Sequence, residues 1–290
     1  MSWRVVVVSN SAKLDYQMGY LTVRQDTTTK IHLSEISILM VESTAVSMTA
    51  YLLCELVKKK IKVIFCDEKR NPSSEIVPFY GCHDTSMKMR KQIEWSKDDK
   101  TAVWTEIVAE KIRKQAELLK EYKRPEYCML NEYVAELQFG DSTNREGHAA
   151  KVYFNALFGM NFTRAAENSI NAALNYGYGI ILSAFNREIV ANGYSTQLGL
   201  FHDNMFNQFN LGSDLMEPFR PLIDRKVMSM KPEKFEHEEK MKVLDVLNEE
   251  VSIGGKKEFI NNAIKIYCKS IFDALNDKDT SLIKFYRNEL

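Results

Sequence analysis

The apolar residues of this chain follow two different periods, and the change comes shortly after residue 80. Arg4 to Val8 is a β-branched run. Leu14 to Val23 and Lys30 to Val41 carry alternating or β-rich stretches, broken at Gly19 and at Asp26-Thr27-Thr28-Thr29. Period-two alternation of branched residues suits half-buried strands, so these segments are read as strands. A helix fits Ala45 to Lys59, where Val46, Thr49, Ala50, Leu53, Leu56 and Val57 share one stripe and Glu42-Ser43-Thr44 offers capping groups. A buried strand, Lys62 to Cys66, follows. Asn71-Pro72-Ser73-Ser74 and Pro78 to Gly81 then read as an exit into a linker.

From about Asp84 the period becomes helical. In Ala102 to Tyr122, Trp104, Val108, Ile112, Ala116 and Leu119 fall on successive turns of one face, with most charges elsewhere. Thr143 to Phe158, Thr163 to Val190, Lys240 to Asn248 and Lys256 to Leu275 are further helix candidates. The fold class expected is α+β: a small β-rich N-terminal domain over residues 1–77 and a larger all-α domain over residues 78–290. Among 290 residues, 45% are hydrophobic, which is ample for one large core or two modest ones.

Charge narrows the function classes. Lys+Arg and Asp+Glu balance at 39 each, so no strong overall field draws the chain to nucleic acid or to an anionic membrane. Local basic patches, Lys58-Lys59-Lys60 with Lys62 and Lys88 with Arg90 and Lys91, read as solvated faces. The five cysteines are odd in number and form no C-x-x-C pair, which suits free thiols in a reducing cytosol. Cys82-His83 has no second pair at ligand spacing and is read as ordinary. Val5 to Val8 is too short for the apolar core of a signal peptide, and no run approaches the roughly 20 apolar residues that span a bilayer. The expectation is a cytoplasmic protein without a membrane segment.

Candidate chemistry lies in the second half. Glu146 completes Thr143-x-x-Glu146, a capping-box pattern, yet it also stands in phase with Ala150, Tyr153 and Leu157 at the end of an apolar stripe, where a carboxylate needs a partner. His202 follows Leu198-Gly199-Leu200-Phe201; such a histidine is more often a satisfied core residue than a ligand. His148 stands close to Glu146. Glu217 lies in Asp214-Leu215-Met216-Glu217-Pro218-Phe219-Arg220-Pro221, where Asp214 could cap a helix with Glu217 at its third position. Pro218 argues against that simple cap, and two prolines three residues apart fix the backbone around a preorganised side chain. Arg220 could steady a carboxylate or meet a phosphate. Two carboxylates and an imidazole are a sensible ligand set for Mg²⁺ or Mn²⁺. Other templates fail: Gly254-Gly255-Lys256-Lys257 lacks a P-loop frame, Gly177-Tyr178-Gly179 lacks a third glycine, and no serine sits in a nucleophile elbow.

Four motifs occur in order: Asn144 to Phe154 (Asn-Arg-Glu-Gly-His-Ala-Ala-Lys-Val-Tyr-Phe), Asn171 to Tyr178 (Asn-Ala-Ala-Leu-Asn-Tyr-Gly-Tyr), Leu198 to His202, and Asp214 to Asp224 (Asp-Leu-Met-Glu-Pro-Phe-Arg-Pro-Leu-Ile-Asp). Together they resemble the CRISPR-associated integrase family, the endonuclease subunit of the spacer-acquisition complex, over essentially the whole chain. Length and N-terminal sequence look most like type II system members. The resemblance implies Glu146, His202 and Glu217 as a catalytic trio holding Mg²⁺ or Mn²⁺; Asp214, Arg220 and His148, from the residues themselves, are supporting candidates beside them. It implies attack of a 3′-hydroxyl of a short duplex prespacer on a phosphodiester at a CRISPR repeat, in the bacterial cytoplasm. The implied assembly is a homodimer, paired through the N-terminal domain and clamped by a small companion subunit. Ala166-Glu167 departs from the Pro-Asp of many members, and no DNA-contacting residue follows from the motifs. The rival reading is a non-catalytic, DNA-binding assembly scaffold of the same complex.

Overall fold

The computed structural model describes residues 4–78 and 82–288. The first elements are β1 (Arg4–Val8), β2 (Ala12–Gln17), β3 (Tyr20–Arg24), β4 (Thr28–His32), β5 (Ile36–Val41), β6 (Val46–Met48), α1 (Ala50–Lys58), β7 (Lys62–Cys66) and β8 (Pro72–Glu75). They make two four-stranded sheets, ordered β1-β5-β7-β8 and β4-β3-β2-β6. In the first sheet β5 pairs in parallel with β1 and β7, and every β5 residue is buried, as both faces of a central parallel strand require. Alternation then sorts its neighbours: Leu39, Val41 and Val63 belong to the N-terminal core with Leu14, Leu21 and Leu52. Ile38, Met40, Ile64 and Cys66 point the other way, into the core of the helical half.

The structure corrects several expectations here. Val46–Met48 is a strand parallel to β2, not the first turn of a helix. The helix starts at Ala50, because Thr49 Oγ1 accepts the Leu52 amide and so caps it. Thr28 and Thr29 open β4 and do not break it, and Pro72–Glu75 pairs antiparallel with β7 where the sequence suggests a linker. Pro72 opens an edge strand, where its missing N–H costs no ladder bond. Of the expected linker residues, Phe79, Tyr80 and Gly81 lie outside the described residues.

The helical half comprises α2 (Thr85–Glu94), α3 (Lys97–Glu121), α4 (Tyr127–Ala135), α5 (Arg145–Phe158), α6 (Ser169–Ala191), α7 (Asn210–Leu215), α8 (Arg220–Met230), α9 (His237–Leu244) and α10 (Ile260–Asp277), with β9 (Glu250–Ile253) and β10 (Lys256–Phe259) before α10. It is therefore not all-α. Gly254 and Gly255, both at positive φ (59° and 77°), turn β9 back on β10 as a two-residue hairpin, the turn that such φ values select. The helix expected from Lys256 accordingly begins at Ile260, and the one expected from Thr163 begins at Ser169, where Asn168 caps it.

Two long helices organise this half. α3 is capped by Ser96, whose Oγ accepts the Asp99 amide at 3.0 Å, and packs against α4, α5, α8 and α10. α6 packs against α8, α9 and α10. Gly177 permits the α6–α8 approach, since a Cβ there would lie 2.5 Å from Ile223 Cγ2. The active-site candidates sit where α3, the start of α5 and the α6–α8 region meet.

Candidate active site

α3 brings Lys111 into the protein interior on the same stripe as Trp104 and Val108. Its ammonium lies 2.5 Å from Glu146 Oε1 and 2.5 Å from Glu217 Oε2. Glu146 sits in the first turn of α5, and it does not fold back as a capping box. The exposed amides there are taken by Asp141 instead, whose carboxylate accepts the Arg145 and Glu146 N–H groups at 2.6 and 3.0 Å. That frees the Glu146 side chain to meet Lys111. Glu217 opens a short 3₁₀ turn, Glu217–Phe219, between α7 and α8, and Pro218 follows it directly. Arg220 Nε donates to Glu217 Oε1 at 2.9 Å. Burial opposes ionisation of Glu217, but Lys111 and Arg220 outweigh it and hold the carboxyl below its ordinary pKa. For Lys111, burial works against the charge, and Glu217 and Glu146 more than restore it.

His202 is supplied by the connection from α6 to α7. Gln92, buried on α2, pins that connection by donating to the Ser195 and Leu198 carbonyls and accepting the Ser195 amide. Asp214 then fixes the ring. Its carboxylate, fully buried, accepts the backbone N–H groups of Leu200, Phe201 and His202 and lies 2.5 Å from His202 Nδ1. Gly199 is needed where it stands: a Cβ there would be 2.3 Å from the His202 carbonyl oxygen and 2.8 Å from Asp214 Oδ2. With Nδ1 committed to Asp214, Nε2 is the nitrogen left to take a ligand, the usual arrangement of a metal-binding histidine held from behind by a carboxylate. The Asp214 hydrogen bond raises the imidazole pKa against burial, with Glu217 and Glu146 adding to the rise. Both carboxylates of the trio therefore lie within electrostatic reach of the ring.

The fold thus brings Glu146, His202, Glu217, Asp214 and Arg220 together. It leaves His148 out: that ring is exposed and tilts against Tyr133 on the far side of the α5 turn. Asp214 is not a helix cap but the anchor of the histidine. Lys111 escapes a reading of the sequence, although one signal exists: a cation in phase with Trp104 and Val108, where a buried lysine demands carboxylates. Beside His202 a cleft of about 640 Å³ is lined by Trp104, Phe201, Lys97 and Lys100. The Trp104 and Phe201 rings stack at 4.6 Å, 3° from parallel, with Phe201 exposed toward solvent. Cys82, His83 and Asp84 also cluster, with donor atoms within 4.8 Å of one another. The thiol donates to Asp84 and Lys88 pairs with that carboxylate, so Cys82 and Asp84 are engaged by neighbouring side chains.

The donor set fits a hard or borderline divalent ion. Two carboxylates meet at a point where an ammonium already serves as cation, and an oriented imidazole lies within electrostatic reach of both.

The sequence profile of the family described as CRISPR associated protein Cas1 matches residues 5–261. The chain belongs to the Cas1 family. A relative named CRISPR-associated endonuclease Cas1, from Neisseria meningitidis serogroup C (strain 8013), is 34% identical over 232 residues, 79% of this chain and 76% of that one. A second Cas1 endonuclease, from Pyrobaculum aerophilum, is 29% identical over 252 residues, 79% and 82% of the two chains. Among solved structures, a Cas1 protein from Thermotoga maritima aligns with a TM-score of 0.77 at 17% identity over 94% of this chain and 97% of that one. A casposase bound to integration product aligns with the same score and identity over 97% and 93%. The chain also covers 36% of a chain in a Cas6-RT-Cas1–Cas2 complex, with a TM-score of 0.74 and 18% identity. These structural likenesses establish the Cas1 fold, with its strands N-terminal and its helices C-terminal.

Proposed function

We propose that this Cas1 protein is a divalent-metal-dependent DNA integrase and endonuclease that inserts short DNA segments at a CRISPR repeat. The observation that supports the reading is that Glu146 and Glu217 meet at one cation position, with His202, oriented by Asp214, within electrostatic reach of both. Family membership supports it, as do relatives named as endonucleases and a neighbour, the casposase, captured with an integration product.

Glu146, Glu217 and His202 Nε2 would hold Mg²⁺ or Mn²⁺, which supplies Lewis-acid polarisation of a phosphoryl oxygen and compensates charge that builds on the entering and leaving oxygens. The chain's own groups do the rest. Asp214 keeps the imidazole in one tautomer, and Arg220 keeps Glu217 ionised and fixed. Lys97 and Lys100 line the adjoining cleft and attract a phosphate backbone, while the exposed ring of Phe201 offers a face to a base. In strand transfer a 3′-hydroxyl oxygen bonds to phosphorus, the existing 3′-oxygen–phosphorus bond breaks, and a new 3′-hydroxyl leaves with the proton. Water in place of the hydroxyl gives a nick.

The assembly belongs to the same proposal: a homodimer with a small companion subunit, acting on prespacer and repeat duplexes in the bacterial cytoplasm. Likeness to a chain that is found in a Cas6-RT-Cas1–Cas2 complex supports a companion, and the free thiols suit a reducing compartment. Among the described residues no helix is long and apolar enough to cross a membrane. The deciding experiment is strand transfer into a supercoiled repeat-bearing plasmid, with and without Mn²⁺, for wild type, His202→Ala and Glu217→Ala. The reading expects metal-dependent product from wild type alone. Equal product from all three proteins would overturn the assignment of His202 and Glu217, and no product from any of them would leave the non-catalytic scaffold.

A further inference from the structure

We propose that Lys111 is the resident cation of this centre, holding the place between Glu146 and Glu217 that the divalent ion takes and competing with it for their oxygens. The inference rests on the metal-site reading above and adds a residue that reading does not use.

Burial makes a cation necessary here. The Lys111 residue is 8% exposed and the Glu217 residue 3%. The Glu146 side chain is 24% exposed, and a cation between the two facing carboxylates offsets their mutual repulsion beside the buried Glu217. Arg220 serves the outer oxygen of Glu217, Oε1, and leaves Oε2 to Lys111. Glu146 Oε1 turns to the same ammonium. The two facing oxygens are thus at most about 5 Å apart, and a single cation touches both, as an ion with oxygen bonds of about 2.1 Å would after a small adjustment of the side chains.

Residue type matters as much as place. Arg220 is a planar fork committed to one carboxylate, whereas the lysine ammonium is a compact point charge on a flexible four-carbon stem that can withdraw. Lysine approaches from α3, while Glu146, His202 and Glu217 come from α5, the α6–α7 connection and the 3₁₀ turn. The ammonium can therefore withdraw along α3 without drawing with it the backbone segments that carry the three ligands. Without metal, Lys111 keeps the carboxylates close and aimed at one point. When metal enters, the ammonium must give up at least one of its two contacts, and that cost is subtracted from the metal's affinity.

Competition and a purely structural role give opposite signs. If Lys111 only supports the local fold, its removal loosens the ligands and weakens metal binding. If it competes, Lys111→Gln and Lys111→Met bind Mn²⁺ more tightly, by about tenfold or more, and the metal-free proteins melt at lower temperature than wild type. Mn²⁺ affinity is read by calorimetry on the full chain, with His202→Ala as the control for the site. Unchanged or weaker Mn²⁺ binding by the Lys111 variants, with His202-dependent binding in wild type, overturns the inference and leaves the metal site standing. Absence of His202-dependent Mn²⁺ binding from every protein overturns both. A measurement on wild type needs no variant. In protein labelled with ¹⁵N-lysine, one ammonium signal protected from exchange should disappear or shift when Mg²⁺ saturates the site. A protected signal that ignores saturating Mg²⁺ would count against displacement.

Discussion

Asp214 holds His202 from behind: the carboxylate is fully buried, the imidazole is 40% exposed, and the two meet at 2.5 Å through Nδ1. The orienting group is thus part of the core, anchored by three backbone amides, and the oriented group stands at the wall of the cleft. Positional accuracy at Nε2 comes from the interior, while access comes from the surface. Glu217 is arranged the opposite way, buried itself and tied to Arg220 and Lys111, so its position does not depend on solvent.

Asp214→Asn should therefore act on His202 and not on the overall fold. An amide keeps one oxygen for the backbone N–H groups but fixes the ring less well and no longer favours a single tautomer. Substitutions of this kind, behind a metal ligand, cost about 10–100-fold in metal affinity or activity. Calorimetric Mn²⁺ titration and strand transfer should both fall by that order, with far-UV circular dichroism unchanged. Full affinity in the variant would remove Asp214 from the site.

Gly199→Ala tests the same loop through space alone. Its Cβ would press on the His202 carbonyl oxygen at 2.3 Å, and backbone cannot step aside as a flexible side chain can. Overpacking costs about 1–3 kcal/mol, so urea denaturation should show a loss in that range together with reduced strand transfer. Gly179→Ala is the contrast, since nothing lies within 4 Å of a Cβ at that point of α6. Alanine there should be neutral or stabilise by about 0.5–1 kcal/mol.

Local features are the ones legible in the chain. β1 and β7 match the branched runs Arg4 to Val8 and Lys62 to Cys66 residue for residue, because strand and run share one short period. β6 reads as helix in the sequence because Val46 to Met48 is extended only by pairing with β2, more than 30 residues earlier in the chain. The β9–β10 hairpin has a signal in Gly254-Gly255, but beside two lysines that pair draws attention as a phosphate loop and not as a turn. The site shows the same division. Glu146, His202 and Glu217 stand out as ionisable groups in apolar company, whereas Asp214 looks like a cap and Lys111 like one of many surface lysines. Both acquire their roles from contacts 12 or more residues away, which no local period records.

DNA binding should show the consequence of a chain with 39 basic and 39 acidic residues. Affinity for duplex comes chiefly from phosphate neutralisation and counterion release. The isolated protein should bind a short duplex weakly, with a log–log salt slope no steeper than about −4, as read by fluorescence anisotropy between low and physiological salt. Adding the companion subunit should steepen the slope by bringing several basic patches onto one duplex. A steep slope for the isolated chain would mean that a single protomer already concentrates its basic residues on one face.

Asp224 gives the centre's neighbourhood a pH signature of its own. It lies fully buried on α8, where the Tyr153 and Tyr178 hydroxyls donate to its two oxygens, and Arg220 stacks on the Tyr178 ring at 4.6 Å. Burial pushes its pKa up from 3.8 to about 6, against the tyrosine hydrogen bonds and the nearby arginines, which lower it. Below 3.8 the carboxyl is protonated in both folded and unfolded chains, and above 6 it is ionised in both. Between them the folded chain holds more protons, so stability falls as pH rises through this window. The shift corresponds to about 3 kcal/mol. Asp224→Asn cannot titrate, so the difference in unfolding free energy between wild type and variant isolates the group from the other carboxylates. That difference should move against wild type by up to about 3 kcal/mol between about pH 4 and 6.5 and stay level above about pH 7. Urea denaturation at a series of pH values across that range measures it. A difference that moves in favour of wild type with rising pH would mean that the tyrosines and arginines, not burial, dominate at Asp224.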